Sequence, residues 1–140
     1  MDDHDPAPHD VAVRVRYGET DRMGVAYHGA YLLYFEIGRT EWLRARGLAY
    51  RDVESRGLRL VVVEAHVAYH ASAAYDDALT VRTRLREMRG CSMTFAYEVR
   101  RGSQVLTTGW TRLACLDASL KPTRLPGDIR ALATPRAARD

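Results

Sequence analysis

The chain has 140 residues, a hydrophobic fraction of 46%, a charged fraction of 28% and a formal net charge of +3 at pH 7. That length suits one domain with its own core, and that balance belongs to a globular chain rather than a disordered one. No apolar run approaches the ~20 residues of a membrane helix, and the acidic stretch Met1–Asp10 is unlike a secretory signal. The two cysteines, Cys91 and Cys115, form neither a disulfide framework nor a zinc pattern, so a reducing cytoplasm is the expected compartment. Lys121 is the only lysine, which makes the positive charge almost wholly arginine. Arginine suits bidentate contact with phosphate or carboxylate, and it is equally ordinary as solvated surface.

Residues 1–9 read as a disordered tail and 10–127 as the domain. From Val11 to Tyr17 apolar and polar residues alternate, which predicts a half-buried strand with Val11, Val13, Val15 and Tyr17 on one face. The stretch Arg16–Tyr31 then crowds Glu19, Asp21, Gly24, Tyr27, His28 and Gly29 into a strand-to-helix turn. Ionisable residues there are poor core material and invite a functional reading, although Gly and Asp are also common turn residues. Residues 31–46 fit a helix: Leu32, Phe35, Arg39 and Trp42 or Leu43 fall near one stripe, widened by Tyr31 and Leu33. Its first half is apolar nearly all round, so substantial burial is expected. Glu36 stands out among Leu33, Phe35 and Ile37. A buried carboxylate needs a partner, for which Arg39 or a turn amide is available, and this structural role competes with a catalytic one.

Residues 48–57 predict a short helical turn and loop. Four strand-like runs follow, over 58–70, 79–88, 92–101 and 104–117. In the second, Arg82, Arg84 and Arg86 oppose Val81, Thr83 and Leu85. Arg89-Gly90 and Arg101–Ser103 are hairpin turns that make an antiparallel meander, and Asp76-Asp77 is a turn. Phe95 and Trp110 sit at core-like positions. Residues 121–126 form a basic exit segment broken by prolines, and 127–140 predict a weak helix and a tail, with 128–140 a C-terminal extension. One strand, a long apolar helix and four strands argue an α+β fold with the sheet wrapped on the helix. A single sheet of that kind keeps long edges, which favours pairing between subunits.

The segment Tyr17-Gly-Glu-Thr-Asp-Arg-Met-Gly-Val-Ala-Tyr-His28, followed by Ala30–Glu36 and Arg39, resembles the signature of the 4-hydroxybenzoyl-CoA thioesterase-like acyl-CoA thioesterases. The likeness continues through 61–70, Tyr75–Leu79 and 117–126, and within the family it is nearest the branch associated with the Tol-Pal cell-envelope system. The resemblance implies the hotdog fold, a five-stranded antiparallel sheet around one long central helix, and an acyl-CoA thioesterase that needs no metal or cofactor, coenzyme A being part of the substrate. It implies that Asp21 is the catalytic carboxylate, attacking the thioester carbonyl or activating a water. The thioester oxygen is expected at the helix start, near the backbone amides of Tyr27 to Gly29, where unpaired N–H groups favour negative charge. His28, beside Tyr27, would polarise the carbonyl or assist thiolate departure, or else only cap the helix. Gly24, Val25 and Gly29 are expected against the substrate, with Arg89, Lys121 and Arg124 at its phosphates. Many relatives have Asp where this chain has Glu19, for which a turn contact is the expected role.

Pairing along those sheet edges makes a homodimer, and its pairing to a homotetramer, the expected assembly; the basic residues form no recognised nucleic-acid module, so no nucleic-acid partner is expected, and no membrane-embedded segment is expected either. Two other readings stay open on sequence: a hotdog enoyl-CoA hydratase or dehydratase, and a non-catalytic acyl-CoA-binding domain.

Overall fold

The computed structural model describes residues 6–133. They form β1 (His9–Arg14), α1 (Ala30–Ala45), α2 (Tyr50–Ser55), β2 (Arg59–Tyr69), β3 (Ala78–Met88), β4 (Ser92–Arg101), β5 (Gln104–Leu116) and α3 (Gly127–Arg130). The strands make one five-stranded sheet in the order β1-β3-β4-β5-β2, and every neighbouring pair is antiparallel. This is the fold class expected. The β3–β4–β5 meander forms its centre, β1 returns along β3, and β2 lies against β5 with its other edge open.

Period-two patterning places the strands. In β3, Leu79, Val81, Thr83 and Leu85 are buried while Arg82, Arg84 and Arg86 are exposed. Register shifts at Leu85/Glu87 and Val62/Glu64 bend the ladder, as bulges do. On the inner side α1 packs over β1, β3 and β4. Its contact face is Tyr31, Tyr34, Phe35, Gly38, Trp42 and Leu43, all buried. Phe35 stacks on Tyr97 at a centroid distance of 4.3 Å, and Trp42 meets Phe95 edge-on at 5.4 Å. The approach is closest at Gly38, where a Cβ would lie 2.3 Å from Thr83 Oγ1 and 2.8 Å from Val81 Cγ1.

Several expectations are corrected by this packing. The helical stripe does not run through Leu32 and Leu33, which are 43% and 37% exposed. Glu36 shares that outward side and is exposed, so it is not a buried carboxylate in need of a partner. The reason is geometric: one sheet can cover only one face of a helix, and Gly38 and Phe35 fix which face. Tyr17 is 79% exposed because the chain leaves the ladder at Arg14 and turns through a 3-10 segment over Tyr17–Glu19. Trp110 stands on the outer side of the sheet, in register with Ala96 and His66, and lines a cleft of about 260 Å³ with Arg84 and Arg86. Strand parity decides this, since Thr111, Leu113 and Cys115 take the inner side.

The expected tail over 1–9 is ordered at its end: Pro6 is buried, and Ala7 O accepts hydrogen bonds from Trp42 Nε1 at 3.3 Å and from Arg46 at 3.1 Å. Residues 1–5 and 134–140 lie outside the described residues. In the expected C-terminal extension, α3 buries Ile129 completely. The Gly38→Val variant should be destabilised by about 1–3 kcal/mol, as expected for overpacking against Thr83 and Val81; a lowered urea midpoint at unchanged m-value checks it.

Candidate active site

The chain enters the site from β1 through a tight sequence of backbone bonds. Asp21 N–H donates to Val25 O at 3.0 Å, Gly24 N–H to Asp21 O at 3.0 Å, and Thr20 bridges Ala26. Gly24 takes φ +79°, a left-handed conformation that glycine adopts without strain. Ala26 N–H then donates to Ala73 O at 2.7 Å, and Val25 bridges Ala74, which ties the loop to the segment between β2 and β3.

Within this turn the Asp21 carboxylate is half-buried. Its Oδ1 accepts from Met23 N–H at 2.8 Å. Oδ2 has no hydrogen-bond partner among the described residues, so it keeps free lone pairs. Asp21, Val25 and His28 line one cavity of about 370 Å³, together with Tyr31, Tyr69 and His70. The His28 ring lies on the Tyr27 ring at 4.1 Å, and Tyr27 is 48% exposed. Gly29 makes room for that pair, because a Cβ there would meet Tyr27 Cε1 at 2.7 Å.

The helix start holds the donors. Tyr27 N–H is used, donating to Glu19 O at 2.7 Å, and Ala30 N–H donates to Tyr27 O at 2.9 Å. The N–H groups of His28 and Gly29 have no acceptor among the described residues. The expected donor run from Tyr27 to Gly29 is therefore shortened to His28 and Gly29. Both sit at the positive end of a sixteen-residue helix with no side-chain cap at Gly29.

Glu19 does what a turn contact requires. Its Oε1 accepts from Arg16 N–H and Tyr34 Oη, both at 2.9 Å, and its Oε2 accepts from Arg16 Nε at 3.0 Å. Burial pushes this carboxyl up, but the donors from Arg16 and Tyr34 outweigh burial and hold it below the ordinary 4.5. The Tyr34 hydroxyl is pushed well above the usual tyrosine range by burial and by its bond to Glu19.

Arg89, Lys121 and Arg124 are not brought to this cavity. They gather at the opposite end of the sheet, where Leu125 N–H donates to Gly90 O and Leu116 bridges Pro122. Leu116 pairs with Arg59 at one end of β2 and the cavity is at Tyr69, the other end. Over those strand lengths the separation is roughly 30 Å. Arg89 is tied to Glu87 at 2.6 Å.

Sequence reasoning assigned no role to Tyr69 or His70. Tyr69 Oη donates to His28 O at 2.8 Å, and His70 Nε2 lies 2.9 Å from Thr108 Oγ1. The available signal was two polar aromatic residues ending a β-branched strand. Among the described residues no group of three or more His, Cys, Asp or Glu side chains could hold a metal ion, and no helix is long and apolar enough to cross a membrane.

Because the folded-state carboxyl of Glu19 is depressed, its stabilisation is complete above the ordinary value of 4.5 and is lost as pH falls through the folded value. Urea midpoints measured between about pH 3 and 7 should show Glu19→Gln less stable than the parent at the upper end, with the two curves converging at the acid end.

Residues 15–132 match the Thioesterase-like superfamily. The chain is 35% identical over 121 residues to the acyl-CoA thioesterase YbgC of Haemophilus influenzae, covering 85% of this chain and 89% of that one. The crystal structure of a probable thioesterase from Bartonella henselae superposes with a TM-score of 0.82 at 34% identity, covering 86% of this chain and all of that one (100%). A DHNA-CoA thioesterase from Staphylococcus aureus superposes with a TM-score of 0.82 at 32% identity, covering 84% of this chain and 80% of that one. The chain thus belongs to the thioesterase-like superfamily and has its hotdog fold.

Proposed function

We propose that this chain hydrolyses acyl-CoA thioesters, with Asp21 acting at the carbonyl carbon and the His28 and Gly29 amides holding the carbonyl oxygen. One arrangement carries the reading: a carboxylate oxygen with no partner shares a cavity with His28, beside a helix start with two unused N–H groups. Such donors favour the charge that develops on oxygen as the carbonyl becomes tetrahedral.

In the general-base route Asp21 takes a proton from water, and the water oxygen bonds to the acyl carbon. Collapse of the oxyanion breaks the C–S bond, and the coenzyme A thiolate leaves and is protonated. In the nucleophilic route an Asp21 oxygen bonds to the acyl carbon, the thiolate leaves, and water hydrolyses the resulting anhydride. Both routes give a carboxylic acid and free coenzyme A and call for no metal or cofactor. His28, at the cavity wall, would polarise the carbonyl or deliver the proton to the thiolate. The free thiols of Cys91 and Cys115 support a cytoplasmic setting.

The substrate's phosphates are assigned to a second copy of the chain. β2 has an unpaired edge and exposes Val61, Val62 and Val63 at 39%, 40% and 47%, and α1 leaves Leu32 and Leu33 uncovered. Antiparallel pairing of two β2 strands would bury this surface. It would also set the Arg59 end of one chain against the Tyr69 end of the other. Lys121 and Arg124 of the partner subunit would then approach the cavity that their own chain holds about 30 Å away. Further pairing of dimers would give the expected homotetramer.

The decisive experiment measures thiol release across short, long and aromatic acyl-CoAs. Asp21→Asn should lower kcat by roughly 10²–10⁴-fold with unchanged melting; equal turnover by parent and variant on every substrate would sink the assignment, and water addition to an enoyl-CoA would point to a hydratase. Tight acyl-CoA binding without turnover would indicate the non-catalytic domain. Label found in Asp21 after a single turnover in ¹⁸O-water would identify the nucleophilic route, with water attacking the anhydride at the Asp21 carboxyl carbon, since the general-base route puts label only in the product. Val62→Lys should shift the species seen in sedimentation towards one chain and abolish turnover together with it.

A further inference from the structure

Tyr69 ends β2, and its hydroxyl reaches the carbonyl of His28, forty-one residues earlier, at 2.8 Å. That carbonyl belongs to the same peptide group as the Gly29 N–H, which has no acceptor among the described residues. A peptide whose oxygen accepts a hydrogen bond is polarised so that its N–H becomes a stronger donor, by about 10–30% in condensed phase. The bond also fixes the peptide plane, and hence the direction in which Gly29 N–H points.

The side chain is itself held. Its ring packs edge-on against Tyr31 at 5.5 Å, and Tyr31 packs edge-on against Tyr34 at 5.6 Å. Tyr34 in turn donates to Glu19. A line of aromatic contacts therefore runs from the wall of the cavity back to the turn that carries Asp21. Burial, then the Tyr31 and Tyr27 hydroxyls, push the Tyr69 hydroxyl above the usual tyrosine range, so it remains a protonated donor at neutral pH.

We propose that Tyr69 is a positioning residue for thioester hydrolysis, its hydroxyl aiming and polarising the His28–Gly29 peptide so that Gly29 N–H meets the substrate's carbonyl oxygen. The inference rests on the reading of those amides as oxyanion donors given above. Tyr69 touches no reacting atom in this scheme; it acts through the peptide.

Removing a direct oxyanion donor costs about 10²–10³ in kcat, and losing only the group that aims one should cost less, roughly tenfold. The Tyr69→Phe variant keeps the ring and its contact with Tyr31. It should lower kcat about tenfold with KM nearly unchanged. The specific readout is the infrared carbonyl stretch of a bound ketone analogue in which CH₂ replaces the thioester sulfur. The stretch should be red-shifted on the parent enzyme, less so on Tyr69→Phe, while a thioether analogue lacking the carbonyl binds both equally. If the parent shows no red shift, the amide-donor reading fails and this inference with it. If the parent shows the shift and Tyr69→Phe shows the same one, the inference alone is overturned. Should Tyr69→Phe melt early, 3-fluorotyrosine placed at position 69 keeps the bond with a stronger donor. It should enlarge the red shift and raise kcat, and an unchanged shift and kcat overturn the inference.

Discussion

The buried carboxylate of Glu19 is the constraint on which the site depends. Its side chain is 9% exposed and accepts from the amide and guanidinium of Arg16 and the hydroxyl of Tyr34. A charged group so far out of water is tolerated only when its lone pairs are met. Here the partners come from both sides of the junction: Arg16 from the end of the strand, Tyr34 from the first turns of α1. Glu19 also offers its own carbonyl to Tyr27 N–H. Between Arg16 and Tyr34 the chain is left little freedom, and Asp21 is presented on a turn whose ends are fixed.

The backbone bookkeeping of that turn decides where donors remain. Asp21, Gly24, Ala26, Tyr27 and Ala30 each spend their N–H on a carbonyl, and His28 and Gly29 do not. In most loops such groups are met by water. Here they stand at the positive end of α1, beside the cavity that His28 and Asp21 line, where the proposed reaction would use them. Tyr69, arriving from the opposite edge of the sheet, completes the frame from behind.

The same fold leaves surface unfinished. β2 is an edge strand, its Val61–Val63 run and Leu32 and Leu33 of α1 are exposed, and Lys121 and Arg124 of the exit segment stand at the far end of their own chain from Asp21. A second copy paired along β2 would answer all of these at once, which is why the proposed site is a property of two chains rather than one.

The pattern of apolar spacing was enough to read the succession of strands along the chain, the single long helix and the hairpin turns, with ends displaced by a few residues, because period two and period 3.6 are local properties; the order of the strands in the sheet was not read. The Tyr17–His28 motif was likewise enough to assemble Asp21, Val25 and His28 and to point to the family, since those residues lie within one turn. Which face of an element meets the core was not legible where both faces are apolar. Leu32, Leu33 and Glu36 turned outward, and Trp110 outward with the arginines, because Gly38 and Phe35 select the contact face and strand parity follows from Leu113 and Cys115. Nor could sequence show that Tyr27 spends its amide on Glu19, that Tyr69 reaches His28, or that Arg89, Lys121 and Arg124 lie far from Asp21. Local spacing and motif were enough for the elements and for the chemistry they carry; which amides stay unpaired, and which distant side chains reach them, follows from contacts between segments that local periodicity does not encode.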